Sequence, residues 1–322
     1  RHTDPGDAAI EAKVESINEA SGIAGAIDLG DNTLAVQQGG NFSGVISGTD
    51  GNVALKATGG SKELTLSGAN TYTGSTTVEN GGKLTLAGGG SIEDSSGVTL
   101  NNATLAVNRA SGTESKIKAL GGSALSDVAL AAGNTLTLKG VTASGAGASM
   151  GEFNGDLGTA NTAGNLKLDA VNKAYSFTLG KSARYTGTTD IASGVMKLKD
   201  GVNLNSSSEV VLRANGALDL SAQGGTDHNL TAKLTSAGSS SLILGTNTLT
   251  LSNADTNFVG TINSGNATLG KLTLTGGTTA GTGAKAQIAG SNRIGDISIV
   301  NGGVLKIEAG SSLITTQIGV GS

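Results

Sequence analysis

The chain of 322 residues has no cysteine or tryptophan, one proline, four phenylalanines and three tyrosines. The lack of cysteine excludes disulfide bonds and thiolate metal sites. With so few aromatic residues, any core must consist of thin layers of Leu, Ile, Val and Ala. Proline cannot donate a hydrogen bond to a strand ladder, so its scarcity is typical of a chain with continuous sheets. Disordered Gly-rich segments usually contain proline and lack regular apolar spacing, whereas 37% of this chain is apolar and regularly spaced.

The chain also has no excess of positive charge and no long apolar run. Its formal net charge is −4, and no long cluster of Lys and Arg occurs, which argues against a nucleic-acid partner. No stretch approaches the roughly 20 apolar residues of a transmembrane helix.

What the sequence does have is glycine, at 53 of 322 positions, about twice the average usage. Between the glycines, short triplets alternate apolar and polar residues, which predicts strands with one buried face. These triplets begin at Leu34, Leu64, Leu84, Leu105, Leu136, Leu166, Phe177, Leu218, Leu249, Leu272 and Leu305.

A larger unit repeats about every 20 residues, which is the sequence signature of a solenoid. In each copy an apolar triplet is followed by an aromatic residue, then by a glycine two positions later and by Ile or Thr after that. Each repeat is too short for helices, so strands of successive turns must bury their apolar residues against one another. The residues that carry this signature are Leu64, Leu66, Tyr72, Gly74, Leu84, Leu86, Tyr185, Gly187, Phe258 and Gly260.

These observations predict an all-β fold, a right-handed parallel β-helix of about 15 turns over residues 22–322. Residues 140–164 are rich in Gly, Ala and Ser and are predicted to form a loop insertion. Residues 1–21 have a different pattern. Ile10, Val14 and Ile17 share one face of a helix that Asp4 and Pro5 would begin. We predict an amphipathic helix there that caps the solenoid, with a partner-binding helix as the alternative.

One repeat is similar to a known family. Residues 64–86 read LTLSGANTYTGSTTVENGGKLTL, and this segment resembles the autotransporter-associated β-strand repeat. Weaker copies lie at 34–55, 177–198 and 249–274. The resemblance implies the passenger domain of a type V autotransporter, secreted or held at the bacterial outer-membrane surface. The family also implies a C-terminal membrane barrel. We expect none in the sequence near Ser322, which does not show the alternating strands and aromatic girdles that a barrel needs.

The resemblance further implies an adhesin or self-associating protein that acts in autoaggregation, biofilm formation, virulence or host-cell attachment. Its partners would be a second copy of itself or a receptor on the host surface or matrix. An alternative is a secreted effector that acts on host cells through a loop or a face of the rod. Another alternative is an enzyme, since some polysaccharide-degrading enzymes are β-helices.

The sequence offers few groups for catalysis, so we expect no enzyme, metal or cofactor. Candidate acids for glycoside cleavage are Asp190, Asp200, Asp219 and Asp227, but the sequence does not bring any two together. His228 is expected at an exposed corner. The central residues of several triplets could instead form an outward polar ladder for contact with a second copy: Thr65, Thr85, Thr137, Thr250 and Thr273.

Overall fold

The computed structural model describes residues 9–19, 24–140, 149–158, 160–171, 173–225, 227–265 and 269–321. The chain forms two compact units, the first comprising residues 1–143 and 150–165 and the second residues 144–149 and 166–322. Short strands make up both units, and the described residues contain no helix.

The strands up to residue 157 are β1 Glu11–Ser16, β2 Ala26–Asp28, β3 Thr33–Phe42, β4 Val45–Ser47, β5 Asn52–Lys56, β6 Glu63–Leu66, β7 Ser75–Glu79, β8 Lys83–Ala87, β9 Gly97–Asn101, β10 Thr104–Asn108, β11 Glu114–Ile117, β12 Leu120–Gly122, β13 Asp127–Leu130, β14 Thr135–Leu138, β15 Ser149–Phe153 and β16 Asp156–Leu157.

In the first unit each strand pairs in parallel with a strand of the next turn. The first face of this unit stacks the start of β3 on β5, β7, β9 and β12. The second face stacks the end of β3 on β6, β8, β10, β13 and β16. The third face contains the pairs β2–β4 and β11–β14. Between β7 and β8 the chain turns at Asn80 and Gly81, with φ angles of 57° and 80°, left-handed values that Asn and Gly adopt most easily.

The remaining strands are β17 Asn165–Asp169, β18 Ser176–Leu179, β19 Thr188–Leu198, β20 Glu209–Asp219, β21 Asp227–Leu230, β22 Lys233–Ser236, β23 Ser240–Ile243, β24 Thr248–Leu251, β25 Asn257–Asn263, β26 Lys271–Leu274, β27 Lys285–Ile288, β28 Ser291–Arg293, β29 Asp296–Ile299, β30 Val304–Ile307, β31 Ser312–Ile314 and β32 Gln317–Val320.

The second unit repeats the same arrangement. Its first face contains β18, the ends of β19, β20 and β25, and β23, β28 and β31. The second face is a five-stranded sheet of β21, β24, β26, β29 and β32. The third face contains β17, the starts of β19, β20 and β25, and β22, β27 and β30.

The predicted parallel β-solenoid is therefore confirmed, with about 13 turns rather than the predicted 15. The difference arises because many turns are longer than the repeat that the sequence analysis assumed. One turn separates Val53 from its partner Thr76, and a still longer one separates Asn263 from its partner Arg293.

The apolar members of the repeat signature form the core. Leu64, Leu66 and Leu86 are fully buried, as are the aromatic side chains of Tyr185 and Phe258, while Leu84 and Tyr72 are 1% exposed. In the copies with phenylalanine the ring packs over the glycine two residues later, so that a Cβ on Gly260 would lie 2.9 Å from Cζ of Phe258. This explains why phenylalanine and glycine recur together at this spacing.

The structure contains a further copy of this pattern that the sequence analysis missed. Phe153, Gly155 and Leu157 have the same spacing, and both apolar side chains are fully buried. Copies with Phe have an aliphatic residue four positions later, as with Phe42 and Ile46. Copies with Tyr have Thr at that position instead.

Tyrosine and threonine occur together because their hydroxyl groups form a buried hydrogen-bonded chain, which a phenylalanine ring could not join. The Tyr72 hydroxyl lies 2.7 Å from Oγ1 of Thr76, which lies 2.9 Å from Oγ of Ser95. Tyr185 and Thr189 repeat the arrangement at 2.6 Å. A polar phenol in the core is thereby given a partner, as burial requires.

These tyrosines make the fold sensitive to alkali. Burial raises the pKa of Tyr185 to about 12, with a smaller opposing effect from its hydrogen bonds, and it also raises the pKa of Tyr72. An unfolded tyrosine ionises near pH 10, so this stabilisation is present below about pH 10 and is lost as the pH rises toward 12. We expect phenolate absorbance from these rings to rise only together with loss of the β-sheet circular dichroism signal. Tyr185→Phe should move that transition, and ionisation of Tyr185 near pH 10 with the sheet intact would contradict the expectation.

The predicted N-terminal helix is wrong for residues 11–16, which form strand β1. This strand pairs in parallel with β3, Glu11 opposite Thr33 and Val14 opposite Val36. A helix would leave the backbone groups on that edge of β3 without partners. Of the three residues that suggested a helical face, Ile10 is 63% exposed and only Ile17 is buried. Residues 1–8, with the predicted helix start, and 20–23 lie outside the described residues.

The predicted loop over residues 140–164 is wrong where β15 and β16 lie. These strands continue the first and second faces of the first unit, through Gly122 opposite Phe153 and Val128 opposite Leu157. Gly155 allows the ring of Phe153 to pack closely over the backbone. Glycine in this part of the segment is therefore compatible with strands and does not indicate a loop. Residues 141–148 lie outside the described residues.

Among the residues that the structure describes, no helix is long and apolar enough to cross a membrane.

Candidate interaction surfaces

The second face of the second unit carries a regular array of uncharged polar side chains. Asn229, Thr250, Thr273 and Ser298 lie directly opposite one another on β21, β24, β26 and β29. Adjacent strands are roughly 4.8 Å apart, so this polar row has a constant spacing. The residues on either side of each member, aliphatic except for His228, face the core, and the row itself faces outward.

Charged residues flank this row. Asp227, Thr248 and Lys271 are opposite one another in register, and Asp296 follows on β29. Nζ of Lys271 lies 2.9 Å from Oδ2 of Asp296, and this hydrogen-bonded carboxylate raises the pKa of Lys271. The second face of the second unit therefore presents a polar row beside a row with charges of both signs.

The predicted threonine ladder is not one continuous row. Thr65 is opposite Thr85 on the second face of the first unit, and Thr250 is opposite Thr273 on the second face of the second unit. Thr137 lies on a third face, opposite Lys116.

The prediction of outward exposure is wrong for two members of the ladder. Thr85 is only 5% exposed and Thr137 is fully buried. Each hydroxyl donates to a glutamate on the preceding turn, at 2.6 Å to Oε1 of Glu63 for Thr85 and of Glu114 for Thr137. Such a short side chain on an outward face is covered by the longer side chains beside it.

A shallow groove lies on the first face of the first unit. Its floor includes Ala54, which is 5% exposed, and its walls carry Asn52, Ser75 and Glu79. Lys56 bonds to Glu11 across this groove, with 2.7 Å between Nζ and Oε2. This hydrogen bond lowers the pKa of Glu11.

Three of the four candidate acids are engaged in structural contacts. Asp190 receives hydrogen bonds from Nε and Nη2 of Arg213, each at 2.9 Å. Asp219 accepts the backbone N–H of Ser221 at 2.8 Å. Asp200 likewise accepts the backbone N–H of Gly224 at 3.3 Å, and Asp227 lies exposed on β21.

The structure does not bring three of these acids to one site. Asp190 lies on the third face of the second unit, Asp219 on the first face and Asp227 on the second. Their outward side chains point in different directions. Within the described part of the chain, no three His, Asp or Glu side chains lie close enough together to hold a metal ion.

The expected exposed position of His228 is wrong. His228 lies within β21 and is 5% exposed. Strand alternation turns it toward the core, between the outward Asp227 and Asn229. No periodic apolar pattern marks this segment, which is why the sequence suggested a corner.

The fold defines the chain as a parallel β-solenoid. No protein-family model matches the sequence, and no curated protein matches it. A solved structure matches at 14% sequence identity, that of a TibC-catalyzed hyper-glycosylated TibA fragment. The match covers 95% of this chain and 99% of that chain, with a TM-score of 0.32.

Proposed function

We propose that this chain is a passenger of a bacterial surface protein that acts by adhesion and self-association, at the cell surface or after secretion. The observation that carries the proposal is the second face of the second unit, with its in-register row of Asn229, Thr250, Thr273 and Ser298. The resemblance of residues 64–86 to the autotransporter-associated repeat supports the surface location.

The chemistry of this face suits contact with a second copy. Hydroxyl and amide groups can both donate and accept hydrogen bonds, so two identical rows are complementary. The row beside the polar row carries Lys271 as well as Asp227 and Asp296. Lys271 of each copy can therefore face a carboxylate of the other copy, which offsets part of the repulsion between the acids. Each contact is weak, but contacts repeated along two cell surfaces add up through multivalency.

The distribution of the acids also favours binding over catalysis. Asp190 is held in a two-pronged ion pair with Arg213, and Asp190, Asp219 and Asp227 lie on different faces. Paired carboxylates for glycoside cleavage must instead converge on one substrate bond.

The test replaces the centre of the polar row with like charges. Facing carboxylates repel by about 1 kcal/mol at 4 Å in water, so two such pairs should lower the affinity between copies by about 30-fold. We expect bacteria displaying the Thr250→Glu/Thr273→Glu variant to stop sedimenting together, and the purified variant to remain monomeric at concentrations where the parent chain associates.

The matched control carries an equivalent pair of substitutions on the first face of the second unit. Ser241→Glu/Thr261→Glu also places two carboxylates directly opposite each other, at outward positions of β23 and β25, and it should leave sedimentation unchanged. Equal loss in both variants, or no loss in the Thr250→Glu/Thr273→Glu variant, would exclude the second face as the contact surface.

A further inference from the structure

His228 occupies a core position that is aliphatic in the other turns of its sheet. It is opposite Leu249, which is followed in register by Leu272, Ile297 and Ile318. Leu249 and Leu272 are fully buried, and Ile297 is 1% exposed. The imidazole of His228 therefore replaces an aliphatic side chain in an otherwise apolar column.

The neighbouring amide determines which ring nitrogen carries the proton. Nε2 of Gln223 donates to the carbonyl oxygen of Val202 at 3.0 Å, which fixes the orientation of the amide, and lies 3.4 Å from Nδ1 of His228. Because the amide nitrogen only donates, Nδ1 of His228 must be unprotonated. The proton is on Nε2, which is buried and has no hydrogen-bond partner.

Protonation at Nδ1 would be unfavourable for two reasons. It would turn an N–H toward the amide N–H of Gln223, and it would place a positive charge in an apolar column. Burial alone lowers the pKa of His228. Opposite strand β24 contributes only Thr and Leu, and Asp227 on the same strand points outward. Asp219 and Asp200 accept backbone N–H groups of the adjoining turn, at Ser221 and Gly224.

We propose that His228 makes strand β21 an acid-sensitive point at which the second unit opens locally. Protonated imidazole is accommodated only when β21 separates from β24 and the ring reaches water. Asn229 is part of the polar row on the outward face, so opening would also disrupt that face. The opening itself is independent of the proposed adhesive function.

Proton linkage determines how the opening of β21 depends on pH. The open state binds a proton near pH 6.5, the ordinary histidine value, whereas the closed state binds it only at lower pH. The protection of the β21 amides from hydrogen exchange is therefore at its maximum above about pH 6.5. It falls as the pH decreases toward the pKa of His228 in the closed state. Within that window the opening constant should rise up to about tenfold per pH unit.

The experiment is hydrogen exchange of the full chain at pH 7.5 and at pH 5.5, corrected for the intrinsic pH dependence of exchange. We expect protection of residues 227–230 to fall about tenfold, while residues 271–274 of β26, which contain no histidine, keep theirs. His228→Leu restores the aliphatic column and should abolish the difference. His228→Gln, which keeps a neutral polar side chain, provides the same comparison if the leucine variant does not fold.

Equal protection of β21 at both pH values would overturn the proposal, as would an unchanged pH dependence in a folded His228 variant. Loss of β21 protection at low pH with normal cell sedimentation would support the opening and count only against the proposed adhesive face.

Discussion

Replacement of Gly155 by alanine is expected to destabilise the first unit by about 3 kcal/mol. A Cβ at this position would overlap the backbone carbonyl oxygen of Ser126 and lie 2.9 Å from Cζ of Phe153. That carbonyl cannot move aside freely, because it accepts the backbone N–H of Asp156 at 2.9 Å in the strand ladder. Either the ladder bond lengthens or the ring of Phe153 leaves its packed position.

Equilibrium urea unfolding followed by circular dichroism would measure this effect. Gly121→Ala is the matched control, since its Cβ would have only the carbonyl oxygen of Glu152 within contact distance, at 3.9 Å. That variant should be neutral or slightly more stable, because alanine restricts the unfolded chain. A loss below about 0.5 kcal/mol in Gly155→Ala would show that the backbone relaxes and that the aromatic–glycine contact is not a packing constraint.

The second large effect is expected at the buried hydroxyl chain. Thr76→Val keeps the shape of the side chain but removes the hydroxyl between Tyr72 and Ser95. The Tyr72 hydroxyl would then lie in the core without its partner, at a cost of about 2 kcal/mol. Ser95 would keep its bond to the carbonyl oxygen of Gly74, at 2.9 Å.

The chain itself indicates how this loss can be reversed. In another copy of the repeat in the first unit, Phe42 and Ile46 occupy the positions of Tyr72 and Thr76. The double variant Tyr72→Phe/Thr76→Val should therefore resemble that apolar arrangement. We expect the double variant to lose only about 1 kcal/mol, less than Thr76→Val alone, because no polar group is left unpaired. Losses that simply add in this double-mutant cycle would show that the two hydroxyls are not coupled.

The sequence predicted the parts of the fold that depend on period-two alternation. Residues such as Leu64 and Leu84 are buried and directly opposite each other, because a parallel stack in register puts equivalent repeat positions side by side. The N-terminal helix was wrong because Ile10 and Val14 fit a helical face by spacing alone. The pairing of residues 11–16 with β3 depends on an edge strand that local sequence does not reveal.

Outward positions were predicted less well than inward ones. Alternation gives the side of the sheet on which Thr85 or Thr137 lies, but exposure depends on the length of neighbouring side chains such as Glu63 and Glu114. The second-face row of Thr250 and Thr273 could be partly predicted. That Asn229 belongs to the same row could not be predicted, because only the structure shows that β21 lies in register with β24.

The parallel ladders also determine how the chain's conformational entropy is lost. Val53 pairs with Thr76 in the first unit and Ser241 pairs with Thr261 in the second, and in both cases the partners are one turn apart. Nearly every ladder contact therefore closes a loop of similar length, and the entropy cost of closure, which depends on that length, hardly changes along either unit.

Relative contact order falls as turns are added, in contrast to sandwiches and barrels, whose distant pairings make folding slow. Each turn that has folded also offers a complete edge for the next, so a unit can assemble progressively from any turn that forms first.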